Sequence, residues 1–138
     1  MKKLFLILIV FAVISINQSC SERGNKLKFN NSNLYYSEQV NKTDAQKLGN
    51  YLLSEGFFGD EERSVKLDKN GKTWEFRLKV KKGTENDDQY LYLFGFFSAQ
   101  LSKAVFNNDP VDIYLCNDKF ETIRMIPFRN TNSDTLAN

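Results

Sequence analysis

The stretch TWEFRLKVK (residues 73–81) alternates apolar and polar side chains without a break. Its even positions are apolar, beginning with Trp74, and the odd positions between them carry Glu75, Arg77 and Lys79. Successive side chains of a β-strand point to opposite faces of the sheet, so a period of two predicts a strand with one buried and one solvated face.

Strand patterns lie on both sides of this stretch. SVKLD (64–68) alternates in the same way, and the intervening Asn70-Gly71 favours a hairpin turn. VDIYLC (111–116) predicts a further strand, and KFETIRMIP (119–127) predicts an edge strand that ends at Pro127. NLYYS at 33–37 predicts a short strand before all of these.

Two helices are predicted between the strands. The first begins with a Thr43 and Gln46 capping pair and ends at Gly56, which is expected to adopt a left-handed conformation. Its predicted buried face consists of Ala45, Leu48, Tyr51 and Leu52. The second runs from about Asn86 to Phe106. Its predicted buried stripe, widened by Leu93 and Phe96, consists of Tyr90, Phe94, Phe97, Leu101, Ala104 and Val105.

The predicted order over residues 33–127 is β-α-β-β-α-β-β. This order indicates an α+β fold, a two-layer sandwich in which an antiparallel-rich sheet carries both helices on one face, in a ferredoxin-like or similar layout. The other face is expected to be solvated. The possible protein contacts on that face are Tyr35, Arg77, Lys79 and Tyr114. Tyrosine is enriched in protein interfaces, and Tyr92 is a further exposed aromatic candidate.

The first twenty residues form a leader pattern. A positive start, Met1-Lys2-Lys3, precedes 13 almost entirely apolar residues at 4–16. Spanning a bilayer takes about 20 apolar residues, so the pattern favours a secretory signal peptide over a membrane helix. A cysteine, Cys20, follows directly where the apolar run gives way to polar residues.

This leader resembles a bacterial lipoprotein signal. The resemblance implies that residues 1–19 are removed and that Cys20 is lipidated on its sulfur. Residues 20–32 are then the lipidated cysteine with a flexible spacer, and residues 128–138 are expected to be a disordered tail. Ser21, in place of the aspartate linked to inner-membrane retention, implies the outer membrane. The alternatives are a signal peptide cut without lipidation and a retained signal anchor.

Composition excludes several classes of function. Two of the 19 basic residues lie in the leader, which leaves 17 basic against 17 acidic residues, so nucleic acid is not a predicted partner. The chain has no histidine, and Cys116 is the single cysteine beyond Cys20. A His-containing catalytic triad and a cysteine zinc cluster are therefore excluded, and no catalytic residue, metal or cofactor is predicted. Cys116 is expected to be a small buried side chain.

Residues 35–125 resemble a small uncharacterised domain of exported and membrane-attached bacterial proteins. The resemblance rests on L-G-x-Y-L-x-x-x-G-F-F at 48–58 and V-F-N-x-x-P-V-x-I-x-L-C at 105–116. It implies a shared fold and contributes no catalytic residue.

These observations favour a membrane-tethered, non-enzymatic domain that binds another envelope protein. Two alternatives remain open. One is an inhibitor or immunity-type lipoprotein that blocks a toxin or hydrolase, and the other is a small hydrolase that uses carboxylates or a Ser/Lys centre.

Overall fold

The computed structural model describes residues 24–130, which form six strands and two α-helices. The strands are β1 (Asn25–Phe29), β2 (Ser32–Tyr36), β3 (Ser64–Asn70), β4 (Thr73–Lys79), β5 (Val111–Cys116) and β6 (Thr122–Ile126). The helices are α1 (Lys42–Ser54) and α2 (Asp88–Ala104). Neither helix, among the described residues, is long and apolar enough to cross a membrane. The predicted signal peptide, Cys20 and residues 131–138 of the predicted tail lie outside this range.

The strands form one mixed sheet whose spatial order is the chain order, from β1 to β6. The β2–β3 and β4–β5 pairs are parallel, and the other three neighbouring pairs are antiparallel. Each parallel pair lies side by side, whereas a ferredoxin-like sheet splits its β-α-β units. The α+β class is confirmed, but the ferredoxin-like, antiparallel-rich arrangement is not. Element order alone is compatible with both layouts, and only strand pairing distinguishes them.

The structure differs from the predicted spacer at residues 25–29, which form β1 at one edge of the sheet. Leu27 and Phe29 turn towards the core, while Lys26 and Lys28 are exposed. Phe29 is buried and stacks on Phe58, with ring centres 5.8 Å apart. The folded domain therefore begins at least eight residues before the predicted start.

The core lies between the sheet and both helices. Trp74, Phe76 and Leu78 of β4 are buried, as their alternation predicts. Phe57, which follows α1, stacks on Phe97 of α2 at 5.8 Å between ring centres and meets Phe76 edge-on at 6.3 Å. These contacts join the two helices to the same face of the sheet.

Helix α1 is capped by a residue other than the predicted pair. The Oδ1 atom of Asn41 accepts a hydrogen bond of 2.8 Å from the backbone N–H of Asp44. Asn41 therefore replaces Thr43 as the N-cap, a role in which a short polar side chain satisfies an otherwise unpaired N–H. At the other end Gly56 has a φ of 75°, which confirms the predicted left-handed residue.

Helix α2 is buried along its C-terminal half. Leu101 and Val105 are buried as predicted, and the hydroxyl of Ser98 donates a hydrogen bond of 2.5 Å to the carbonyl of Val111. The prediction is wrong for four residues of the stripe, which are exposed: Tyr90, Leu93, Phe96 and Ala104. The reason is that α2 packs over β5 and β6, and β6 is the last strand of the sheet.

Candidate functional site

The residues predicted to contact a protein lie together on the open face of the sheet. The strand registers align Tyr35, Lys66, Arg77 and Tyr114 in one row across β2, β3, β4 and β5. Lys79 lies two residues from Arg77 along β4, on the same face. Alternation predicted Arg77, Lys79 and Tyr114 on this face, Tyr35 was predicted as an exposed aromatic residue, and the strand pairing places all of them in one surface.

Arg77 is held by neighbours within this face. Its guanidinium donates to Glu75 at 2.7 Å and to the hydroxyl of Thr122 at 3.0 Å, and it lies 4.2 Å from the ring centre of Tyr114. The Arg77 and Glu75 side chains are only 20% and 15% exposed. These contacts fix the position of the Arg77 guanidinium within the open face.

Tyr35 and Lys79 both contact Phe120, a residue that was not predicted to lie in this surface. The ring of Phe120, in the loop between β5 and β6, lies 6.0 Å from the ring of Tyr35 and 4.7 Å from the Lys79 amine. Phe120 has a φ of 61°, which is uncommon for a side chain of this size. Asn117 holds this loop, because its side-chain oxygen accepts from the amides of Lys119 and Glu121, each at 3.0 Å.

Cys116 is buried, as predicted, and has no disulfide partner among the described residues. Burial raises the pKa of its thiol, and the nearby Arg77 only partly opposes this effect. A thiol with a raised pKa is protonated at neutral pH and is a poor nucleophile. The predicted structural role of Cys116 is therefore consistent with its surroundings.

Two acidic residues near the start of α2 accept hydrogen bonds from backbone N–H groups. The Asp87 carboxylate accepts from the N–H of Gln89 at 3.0 Å, and the Glu85 carboxylate accepts from the N–H of Gly83 at 2.8 Å. Within residues 24–130, no three histidine, cysteine or acidic side chains lie close enough to hold a metal ion.

A second surface, not predicted from the sequence, lies along the free edge of the sheet. Here α2 and β6 enclose a groove of about 490 Å³, which we call the α2–β6 groove. Its lining consists of Leu91, Tyr92, Gly95, Phe96, Arg124, Met125, Ile126, Pro127 and Arg129. The apolar side chains of Tyr92 and Phe96 are largely open to solvent, at 78% and 59% exposure. Met125 is 44% exposed and pairs with Tyr114, so its side chain lies on the open face of the sheet, at the margin of the groove.

Two further apolar residues on the elements that form the groove are exposed. Leu93 of α2 is 56% exposed and Ile123 of β6 is 41% exposed. The charged residues of the groove are Arg124 and Arg129, and no acidic side chain lines it. Arg124 is positioned by a hydrogen bond of 2.7 Å from its guanidinium to the carbonyl of Glu85. The arrangement suits an apolar ligand that carries negative charge.

A signal for this groove was present in the sequence. Residues 90–97 read YLYLFGFF, so α2 is apolar on nearly every side near its start. One face of a helix is enough to cover a sheet, and a helix that is apolar all round requires a second apolar neighbour. Only the position of α2 at the sheet edge reveals that this neighbour is absent from the described residues.

A comparison with protein-family models gives a match over most of the described residues. The model of the AF_1994_N family, described as a family N-terminal domain, matches residues 26–126, from the second residue of β1 to the last residue of β6. No curated protein and no solved structure matches the chain. The match covers both helices and all of the described sheet except the first residue of β1, and the chain therefore belongs to the AF_1994_N family.

Proposed function

We propose that the chain is a non-enzymatic lipoprotein of the cell envelope, anchored in the outer membrane through Cys20. Its folded domain binds another envelope protein through the α2–β6 groove. The observation that carries the binding role is the exposed apolar surface of Tyr92, Phe96 and Met125. Large exposed apolar patches on a folded domain mark interaction sites.

The anchor is supported by the lipoprotein-like leader and by the position of β1. Only residues 21–24 separate Cys20 from the first strand. Even fully extended, the chain from Cys20 to Asn25 spans no more than about 18 Å. A domain tethered this closely remains beside the lipid surface, where its partner is a protein of the same membrane or one that reaches it.

The anchor is tested by metabolic labelling with a fatty-acid probe. We expect Cys20→Ala to abolish labelling and to release the chain from the membrane fraction. Cys116→Ala is the matched control, because it removes the other cysteine and should leave labelling unchanged. Labelling that persists in Cys20→Ala would contradict the anchor.

The binding role is tested by affinity capture of the tagged chain from solubilised envelopes. We expect Met125→Asp and Phe96→Asp to lose a defined protein that the parent chain retains. Leu53→Asp is the control, because Leu53 is an exposed apolar residue of α1 away from the groove. Equal capture by all four chains would show that the groove is not the contact surface.

A further inference from the structure

We propose that the α2–β6 groove binds an extended segment of the partner, which pairs with the free edge of β6 and adds a seventh strand to the sheet. The segment carries apolar side chains at alternate positions and at least one carboxylate. This inference rests on the proposed binding function and names the form of the ligand.

The backbone of β6 has hydrogen-bonding groups directed outwards. Pro110 and Cys116 direct their carbonyls to β4, at 2.8 Å from the N–H of Trp74 and 3.0 Å from that of Val80. The intervening odd-numbered residues of β5 therefore face β6, where Ile113 pairs with Ile126 and Leu115 with Arg124. Because neighbouring residues of a strand alternate, the N–H and carbonyl of Met125 point away from the sheet and can pair with an added strand.

The two edges of the sheet differ in their side chains. On β1, Lys26 and Lys28 are exposed, and lysine at an edge is a usual protection against unwanted pairing. On β6 the corresponding outward side chains are Ile123 and Met125, which are exposed and apolar. A bulge opposite Leu115 and Cys116 disturbs only the start of β6. Of the two edges, β6 is therefore the one with exposed apolar side chains, and it lies beside the groove.

Gly95 supports the close approach of a partner backbone. It lies inside α2, where glycine is less favourable for the helix than alanine. Apart from its chain neighbours and the adjacent backbone of α2, no described atom lies within 4 Å of the place where a Cβ on Gly95 would be, so packing within the domain does not require glycine here. Gly95 lines the groove, and the space it leaves open faces the proposed strand.

Charge favours a partner over a second copy of the chain. Self-association through this edge would bring two Arg124 and two Arg129 side chains into one interface, with no acidic residue lining either groove. A segment with a carboxylate pairs with these arginines instead, and arginine binds carboxylates through two parallel hydrogen bonds.

The test is a selection with a random ten-residue peptide library displayed on phage, with the purified full chain as bait. Clones that also bind Met125→Asp are removed. We expect enriched peptides with alternating apolar residues and an aspartate or glutamate. Synthetic copies should bind the parent chain at least tenfold more tightly than Arg124→Glu, and exchanging the acid for lysine should reverse this preference. Gly95→Leu should weaken binding to a similar degree.

Amide hydrogen exchange of the bound chain identifies the mode of binding. Strand addition slows exchange at Met125, whereas the amides of β1 are the internal control and remain unchanged. The proposal would be overturned if no peptide were enriched, or if the enriched peptides lacked an acidic residue or alternating apolar residues. Slower amide exchange in β1 on binding would also overturn it. Sedimentation measurements could also overturn the proposal. If the chain self-associated and Met125→Asp abolished this association, the occupant of the groove would be a second copy of the chain. If groove variants lose the captured envelope protein while the Met125 amide stays unprotected, the proposed function stands and strand addition fails.

Discussion

The ring of Phe29 on β1 lies directly against Gly49 in the middle of α1. A Cβ on Gly49 would lie closer than 3.0 Å to three atoms of that ring. We therefore expect Gly49→Ala to lower the free energy of unfolding by about 1–3 kcal/mol, because the ring must move despite the better helix propensity of alanine. Urea denaturation followed by the fluorescence of the single tryptophan, Trp74, measures the loss.

Gly95→Ala is the matched change in α2. Apart from the chain neighbours and the adjacent backbone of α2, no described atom lies within 4 Å of where the added Cβ would be, so only helix propensity changes. Stability should rise by up to about 1 kcal/mol. A loss comparable to that of Gly49→Ala would mean that the space beside Gly95 is occupied within the domain.

The contribution of β1 is tested by Phe29→Ala. Because Phe29 is buried against Phe58 and Gly49, we expect a loss of about 3–5 kcal/mol, the usual range for a buried phenylalanine. Lys28→Ala, an exposed neighbour, should change stability by less than about 0.5 kcal/mol. If both substitutions changed the free energy of unfolding by equally small amounts, residues 25–29 would be a spacer and not part of the folded domain.

Trp74 tests the inward face of β4. Its ring is buried and stacks on Phe106 with 4.2 Å between ring centres, so Trp74→Ala should cost about 3–5 kcal/mol. Its indole Nε1–H is buried and has no hydrogen-bond partner. Trp74→Phe keeps an aromatic ring and removes this donor, so it should cost much less than Trp74→Ala. Thermal unfolding followed by circular dichroism compares the two variants.

Arg77 is expected to stabilise the open face. Arg77→Met leaves the largely buried Glu75 without its ion pair and should lower the free energy of unfolding by about 1–3 kcal/mol. Arg77→Met should lower the free energy of unfolding less when Glu75→Gln is already present than it does in the parent chain. A double-mutant cycle measures this coupling. Additive effects would show that the pair contributes nothing measurable.

Alkaline pH should destabilise the domain. Burial, followed by the charges of Glu75 and Asp112, raises the pKa of Tyr114 above its ordinary value, and burial raises that of Cys116. The folded state binds the protons of Tyr114 and Cys116 more tightly than the unfolded state does. The stability that these protonated groups contribute is therefore complete at neutral pH and is lost as pH rises through their folded pKa values. Tyr114→Phe should flatten the fall in unfolding free energy above about pH 10. An unchanged profile would contradict the role of Tyr114.

The sequence predicted those parts of the fold that repeat with a clear period. The alternation around Trp74 identified both faces of β4, and Gly56 correctly marked the end of α1. Strand β1 was missed because its exposed lysines make an edge strand resemble a linker. The adjacent pairing of parallel strands was missed because it depends on contacts between distant parts of the chain.

The candidate site was predictable only in part. Alternation placed Arg77, Lys79 and Tyr114 on the solvated face, and Tyr92 was identified as exposed. Phe96 was assigned to the core, since helical spacing cannot tell whether an apolar position meets a strand or passes beyond the last one. The groove follows from where the sheet ends, which no local pattern encodes.

The directions of the strands determine how an anchored domain would stand. β1 begins and β6 finishes at the same end of the sheet, because Asn25 pairs with the last residue of β2 and Ile126 lies near the start of β5. If the proposed anchor at Cys20 is present, it would keep that end near the bilayer, and the loops at 55–63, 80–87 and 117–121 would lie at the opposite end of the sheet, about 20 Å further away. A reporter inserted in one of those loops would project into the aqueous space, whereas one placed just after β6 would lie at the lipid headgroups.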